Sequence, residues 1–451
     1  MTTTAELAAF VTETEYDDLS EEVVDETKKR VLDSVGIALG AVDAEPIEAV
    51  RATVEETSGE SGGCRLWATD GRAAPPGAAM YNTALTRYLD FMDSFLAPGE
   101  TPHPSDNIGA AIACAEYADA SGRDLLTGIA IAYEVQGELA WNAPVRDRGW
   151  DHVTHTVVSA ATAASKLLGL SYEETRNAVG VAGTAHNALR VTRTEGINEW
   201  KGLASANAAR NAVYSAMLAK NGVEGPVNLF EGKKGWKQIV SGGFEVDLDP
   251  GCERLFDVMT KRYVAETYAQ SAVEGIVDLA AREGIDPREV EAIRLQTFAG
   301  AKLIIGGGEG SRYVVETKAQ ADHSLPYMLS VALIDRELTN DAYDPERIRL
   351  EDVQRLLQTV EVEENPTLTE RFEAGEMPAI VDIELADGTT HRVEKSGFKG
   401  HPSDPMSWDD IEGKFRTMAA PVYDAPRQDE IVEAVRSLDE RDASDLTALL
   451  D

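Results

Sequence analysis

The sequence predicts a mainly α protein: a large helical domain built from both chain ends, with a smaller α/β domain between them. Three observations carry this. Residues from about 5 to 268 space their apolar side chains at helical period. Residues 270–400 then combine a helix with runs that alternate like strands, two of them around Asp387-Gly388. From Trp408 to Leu450 the helical period returns, so the tail is expected to pack back on the first domain. The expected domains are 1–268, 269–403 and 404–451.

Each element has a local reason. Ser20 to Ala41 opens on a capping serine followed by glutamates, and Val24, Thr27, Val31, Val35 and Leu39 trace one apolar face. Residues 109–120 and 124–140 are Ala-rich and apolar on all sides, the pattern of helices buried among helices. Residues 155–170 and 203–221 repeat it, and their small side chains permit close helix approach. One more helix follows, Ala269 to Glu283. Val290 to Phe298 and Val360 to Val362 alternate as strands, and Met377 to Ser396 reads as a hairpin turning at Asp387-Gly388.

Composition excludes several function classes. The 451 residues are 43% hydrophobic and carry 79 acids against 42 bases, a formal charge of −37. Nucleic acids and anionic membrane surfaces need basic patches, so neither is an expected partner. The acids are spread along the chain, as on a solvated surface suited to high salt, and a halophilic source is expected. Cys64, Cys114 and Cys252 are odd in number and widely spaced, which fits a reducing compartment and neither a disulfide framework, a zinc site nor a cluster. The start MTTTAELAAF lacks the basic and apolar regions of a secretory signal, and no apolar run reaches a membrane span. A cytoplasmic location is expected.

Seven histidines stand at 103, 152, 155, 186, 323, 391 and 401, with no HExxH pair. No GxGxxG or GxxxxGK[ST] motif is present, and Gly306 to Gly308 read as a loop. Five constellations remain. The first is Asp90, Asp93, Ser94 and His103 in LDFMDSFLAPGETPHPSDN, where four Pro or Gly residues forbid a single helix. The second is Arg148-Gly-Trp-Asp-His152, opening a helix. The third is Leu189-Arg-Val-Thr-Arg193 with Trp200-Lys201-Gly. The fourth is Lys261-Arg262-Tyr263 with Glu266, Tyr268 and Gln270. The fifth is Asp322-His323-Ser-Leu-Pro-Tyr327. Singly, each is more often a satisfied polar group or a solvated charge than a catalyst, and His155, His186 and His391 are read as structural. Together, cations gathered at helix starts and loop ends in so acidic a chain suggest an anionic small molecule held by Lys, Arg and helix N-termini. A cleft between domains is a common place for such a ligand.

The motifs HPSDN after LDFMDS, RGWDHV, LRVTRT followed by WKGL, ADHSLPY, and later HPSDPMSWDD resemble the MmgE/PrpD family of 2-methylcitrate dehydratases. They run in order from about residue 25 to 415. The resemblance implies a helical domain from both chain ends with a small inserted α/β domain, a homodimer, and no metal or other cofactor. It places the pocket on Asp90, Ser94, His103, His152, Lys201, Lys261 and Tyr327, with Ser94 where threonine is common. Where relatives carry a histidine after the lysine, this chain has Tyr268. The forms GWDHV and LRVTRT…WKGL look nearer to the dehydratases than to the decarboxylases.

The implied chemistry is loss of water from 2-methylcitrate or a similar tricarboxylate. Lys201, Lys261 and Arg193 would hold carboxylates, with Tyr268 and His323 beside the substrate. His103 and His152 would be acid and base, in an order left open. Asp90 would orient a histidine or the substrate hydroxyl, Ser94 would hydrogen-bond beside it, and Tyr327 would donate to a substrate oxygen. A cis-aconitate decarboxylase or citrate dehydratase on the same scaffold is the first alternative. A non-catalytic carboxylate-binding module is the second.

Overall fold

The computed structural model describes residues 1–58, 63–194, 198–308 and 311–451. Residues 195–197, inside the spacer between LRVTRT and WKGL, lie outside the described residues. The chain forms two compact units, Met1–Met259 with Ser407–Asp451, and Thr260–Met406. The sequence period placed the changes at 268/269 and 403/404. Between Glu253 and Ala269 the chain runs through one-turn helices and the strand Val258–Thr260, so no period marks the change.

The larger unit is helical. Ser20 accepts from the Val23 amide at 3.2 Å and starts the helix Glu21–Leu39. The tail helix Trp408–Ala419 lies directly on it: a Cβ at Gly36 would come 2.9 Å from Phe415 Cα. Only glycine permits that approach. Lys414 Nζ, 2.7 Å from Asp33, and Lys28 Nζ, 2.9 Å from the Arg436 carbonyl, fix the returning tail. The helices Ile108–Tyr117, Gly122–Asn142 and Val153–Leu167 are buried along almost their whole length, which explains sequences apolar on every side. Each fully buried Leu, Ile or Val there contributes about 1.5–3 kcal/mol. Pro75–Tyr88 and Trp200–Lys220 pack against each other.

The smaller unit holds a four-stranded sheet in the order Val360–Glu364, Val290–Thr297, Ala379–Leu385, Thr390–Lys395. The first pair is parallel and the other two are antiparallel. The parallel pair needs a crossover, which residues 298–359 supply through Leu325–Asp335 and Glu351–Leu357. The expected hairpin turns at Gly388, whose φ of +85° suits glycine. The helix Gln270–Glu283 packs on the two hairpin strands. No helix among the described residues is long and apolar enough to cross a membrane.

Candidate functional site

The segment after Pro75–Tyr88 is shaped by charge. Asp90 sits at φ +55°, a region that costs a non-glycine residue free energy. Its carboxylate is held from both sides: Arg87 Nη1 donates to one oxygen at 3.1 Å, and Lys201 Nζ to the other at 3.1 Å. Arg87 is 1% exposed. Asp90 therefore compensates a buried guanidinium from the preceding helix and fixes a lysine at the start of Trp200–Lys220.

Asp93 builds the next turn. One of its carboxylate oxygens accepts from the Ser105 amide at 3.1 Å and the Ser105 hydroxyl at 2.7 Å. The other accepts from the Tyr133 hydroxyl at 2.7 Å. These bonds close the loop so that His103 Nδ1 lies 2.7 Å from the Asp93 carbonyl and 3.2 Å from Ser94 Oγ. A carbonyl only accepts, so Nδ1 carries the hydrogen and the lone pair of the neutral ring lies on Nε2. The strand Asp93–Phe95 and the short helical turn Pro104–Asn107 are the two walls of this loop.

The ring of His152 meets that of His103 edge to face, centroids 5.4 Å apart. His152 is the N-cap of Val153–Leu167 and is buried. Burial holds its pKa well below the usual histidine value, opposed by Asp151, so the ring is neutral. Nδ1 faces Asp151 Oδ1 at 3.4 Å, and Nε2 has no hydrogen-bond partner among the described residues. Asp151, fully buried, stays ionised because Arg193 and His152 outweigh the burial that opposes charge, and its pKa is lowered. Arg193 Nε donates to Asp151 Oδ2 at 2.5 Å and Nη2 to Oδ1 at 3.4 Å, and the Val153 amide adds a third donor at 3.1 Å.

A further buried carboxyl adjoins this set. Asp106 accepts from Ser205 Oγ at 2.6 Å and lies 3.9 Å from Arg87 Nε. Burial pushes its pKa up to about 7, although Arg87 acts the other way. Asp106 Oδ1 and Arg87 Nε and Nη2 have no hydrogen-bond partner among the described residues.

The larger unit thus brings together five residues expected from sequence: Asp90, Ser94, His103, His152 and Lys201. Arg193, expected to hold a substrate carboxylate, is instead engaged with Asp151. Asp151 and Asp93 are the residues that sequence reasoning under-used. Both stood in the quoted motifs, but their tasks depend on partners 42 and 40 positions away.

Lys261, Tyr268, His323 and Tyr327 belong to the smaller unit. Lys261 is buried, and the turn after it is tied by Gln270, whose side chain takes the amides of Arg262 and Tyr263 at 3.1 Å each. Tyr268 lies in an aromatic cluster, 5.2 Å from Phe298 and 5.5 Å from Phe372 between centroids. His323 Nδ1 is hydrogen-bonded to Asp322. Tyr327 is wholly buried, and its hydroxyl donates to the Ala342 carbonyl. The expected donation to a substrate oxygen meets a proton already committed. Burial also raises its pKa.

Residues 5–249 match the model of the MmgE/PrpD N-terminal domain, and residues 263–440 that of the C-terminal domain. The chain is 28% identical over 380 residues to a 2-methylcitrate dehydratase of Escherichia coli O157:H7, covering 80% of this chain and 78% of that protein. It is 29% identical to a mitochondrial 2-methylcitrate dehydratase of Yarrowia lipolytica, covering 72% and 66%. A cis-aconitate decarboxylase of Mus musculus is 25% identical over 96% of this chain and 90% of its own length.

Proposed function

Because the chain belongs to the MmgE/PrpD family, we propose that it is a hydro-lyase that dehydrates 2-methylcitrate or a similar tricarboxylate to an aconitate-type alkene. The observation that carries this reading is the pairing of His103 with His152 at 5.4 Å between ring centroids. The pair can serve as base and acid on adjacent carbons of one substrate.

The two environments differ, which supports one order of roles. His152 is neutral because burial depresses its pKa, so it is the base. Its Nε2 takes the proton from the carbon beside a carboxylate, and Asp151 stabilises the imidazolium that forms. The C–H electron pair becomes the new C=C bond as the C–O bond on the next carbon breaks. His103 is the acid. Its Nδ1–H is anchored on the Asp93 carbonyl, an acceptor that suits the protonated ring, and Nε2–H delivers the proton that makes the leaving hydroxide water. Lys201, steadied by Asp90, neutralises charge on the carboxylate next to the developing carbanion. Lys261 keeps its implied carboxylate-binding role as a separate proposal, tested by Lys261→Ala.

The test is incubation of purified protein in molar KCl with EDTA, separately with 2-methylcitrate, citrate and cis-aconitate, following alkene absorbance and CO₂. Alkene from 2-methylcitrate without CO₂ supports the reading. The EDTA tests the metal independence that the resemblance implies. The likeness to the mouse protein favours one second reading, decarboxylation of cis-aconitate, and CO₂ release from that substrate would select it. A homodimer is part of the proposal. It is supported by Leu189, Val191 and Trp200, exposed by 46% or more around one hollow of about 630 Å³, and checked by sedimentation. A halophilic, cytoplasmic setting rests on the dispersed charge of −37.

A further inference from the structure

In a chain with 79 acids and 42 bases, a cation with no carboxylate partner needs a reason. Arg146 and Arg190 are such cations. Both are half-buried, and neither side chain has a hydrogen-bond or ion-pair partner among the described residues. Arg146 Nε is itself buried without a partner. Burial of an unsatisfied guanidinium nitrogen is unfavourable, so a ligand there is stabilising.

The backbone brings the two together beside the proposed base. Trp150 and Leu189 form an antiparallel bridge. On one side of it the Asp151 amide donates to the Ala188 carbonyl at 2.9 Å. On the other, the Arg190 amide donates to the Gly149 carbonyl at 3.0 Å, and the Gly149 amide donates to the Arg146 carbonyl at 3.0 Å. Arg190 is thus one hydrogen-bonded residue from the turn that carries Arg146, and two positions from Asp151–His152. The pair is close enough for mutual repulsion: after burial, Arg146 is the main influence lowering the Arg190 pKa. The two carboxylates among the described residues that attract Arg190, Asp151 and Glu100, are otherwise engaged. Asp151 is taken by Arg193, and Glu100 by the amides of Val145 and Arg146 at 2.7 and 2.6 Å. Arg148, in the same turn, points elsewhere, its Nη2 lying 2.8 Å from where a Cβ on Gly242 would be.

We propose that Arg146 and Arg190 form a carboxylate subsite next to His152 that holds the substrate carboxylate farthest from Lys201. This rests on the tricarboxylate reading above and adds a specificity determinant to it. Two guanidiniums on hydrogen-bonded backbone segments favour a di- or trianion over a monocarboxylate.

The probe is tricarballylate, which has three carboxylates and no hydroxyl to lose. Its Kd is measured by calorimetry at fixed KCl on wild type, Arg190→Gln, Arg146→Gln, Arg190→Lys and Arg148→Gln, with thermal melts to check folding. The expected result is a Kd about tenfold weaker or more for Arg190→Gln and Arg146→Gln, partial recovery in Arg190→Lys, and little change in Arg148→Gln. Unaltered Kd in both glutamine variants overturns the subsite, as does an equal loss in Arg148→Gln, which would mean only a diffuse field. No binding to wild type also overturns it. Turnover is read separately. A protein that binds tricarballylate through Arg190 yet dehydrates no tricarboxylate keeps the subsite and loses the proposed function. One that dehydrates 2-methylcitrate with KM indifferent to Arg190→Gln keeps the function and loses the subsite.

Discussion

His103 gives its Nδ1 hydrogen to the Asp93 main-chain carbonyl at 2.7 Å, and the same Asp93 uses its side chain to hold Ser105 and Tyr133. One residue therefore sets both the path of the loop and the tautomer of the histidine. Replacing Asp93 by Ala leaves the Ser105 amide and the Tyr133 hydroxyl buried without an acceptor. At about 1–3 kcal/mol for each unsatisfied group, Asp93→Ala should lose about 2–6 kcal/mol, read from urea unfolding. Wild-type stability in that variant would refute the bracing role.

The two histidines should fail differently. His152→Ala and His103→Ala should each lower kcat by about a hundredfold or more, the usual worth of a positioned acid or base. A base must be neutral, and burial keeps His152 neutral to below its ordinary pKa of 6.5. The acid limb of kcat/KM assigned to His152 should accordingly lie below pH 6.5. A limb at or above 6.5 that His152→Ala removes would contradict the assignment.

Arg193 supplies a sign test. It neutralises buried Asp151 and also lowers the His152 pKa. Arg193→Ala leaves a buried carboxylate uncompensated, expected to cost about 3–5 kcal/mol. It should also raise the His152 pKa, moving the acid limb to higher pH. A pH profile that stays in place while stability falls would show that the pair is structural alone.

Asp90 is expected to matter for folding as well as for turnover. Asp90→Ala keeps an L-residue at φ +55°, removes the partner of buried Arg87 and releases Lys201. Asp90→Asn keeps the shape and loses the charge. The alanine variant should unfold at clearly lower urea than the asparagine variant, and both should lose activity.

Two carboxyls give the fold its own pH dependence. Burial pushes Glu134 up to about 7 and Asp106 up to about 7, both well above their unfolded values. An acid whose folded pKa is raised stabilises the fold below its unfolded pKa, and that contribution is lost as pH rises through the folded pKa. Their share of stability should therefore decline between pH 4 and about 8. Glu134→Gln, which stays neutral, should flatten the slope of melting temperature against pH over that window.

Much of this was legible in the sequence, for local reasons. Ser20 caps a helix by accepting from the amide three residues on, and Asp387-Gly388 turns a hairpin because glycine accepts the left-handed φ. The proline-rich stretch 89–107 could not be a single helix, and within it the Ser94 hydroxyl and His103 lie side by side. The crossover between the parallel strands was not legible, since residues 298–359 carry short helices with weak periods. The first unit boundary differs from the expected one because the one-turn helices around it leave no period.

The sequence by itself determined the helical class, the inserted sheet and the order of the motifs, because period, capping and turn chemistry act over a few residues. Only the tertiary structure decided who partners whom. It gave Arg193 to Asp151, Tyr327 to Ala342 and the His103 hydrogen to Asp93, while leaving Arg146 and Arg190 without a carboxylate partner among the described residues. A side chain's protonation and availability depend on burial and on charges distant in sequence, and those exist only once the chain has packed.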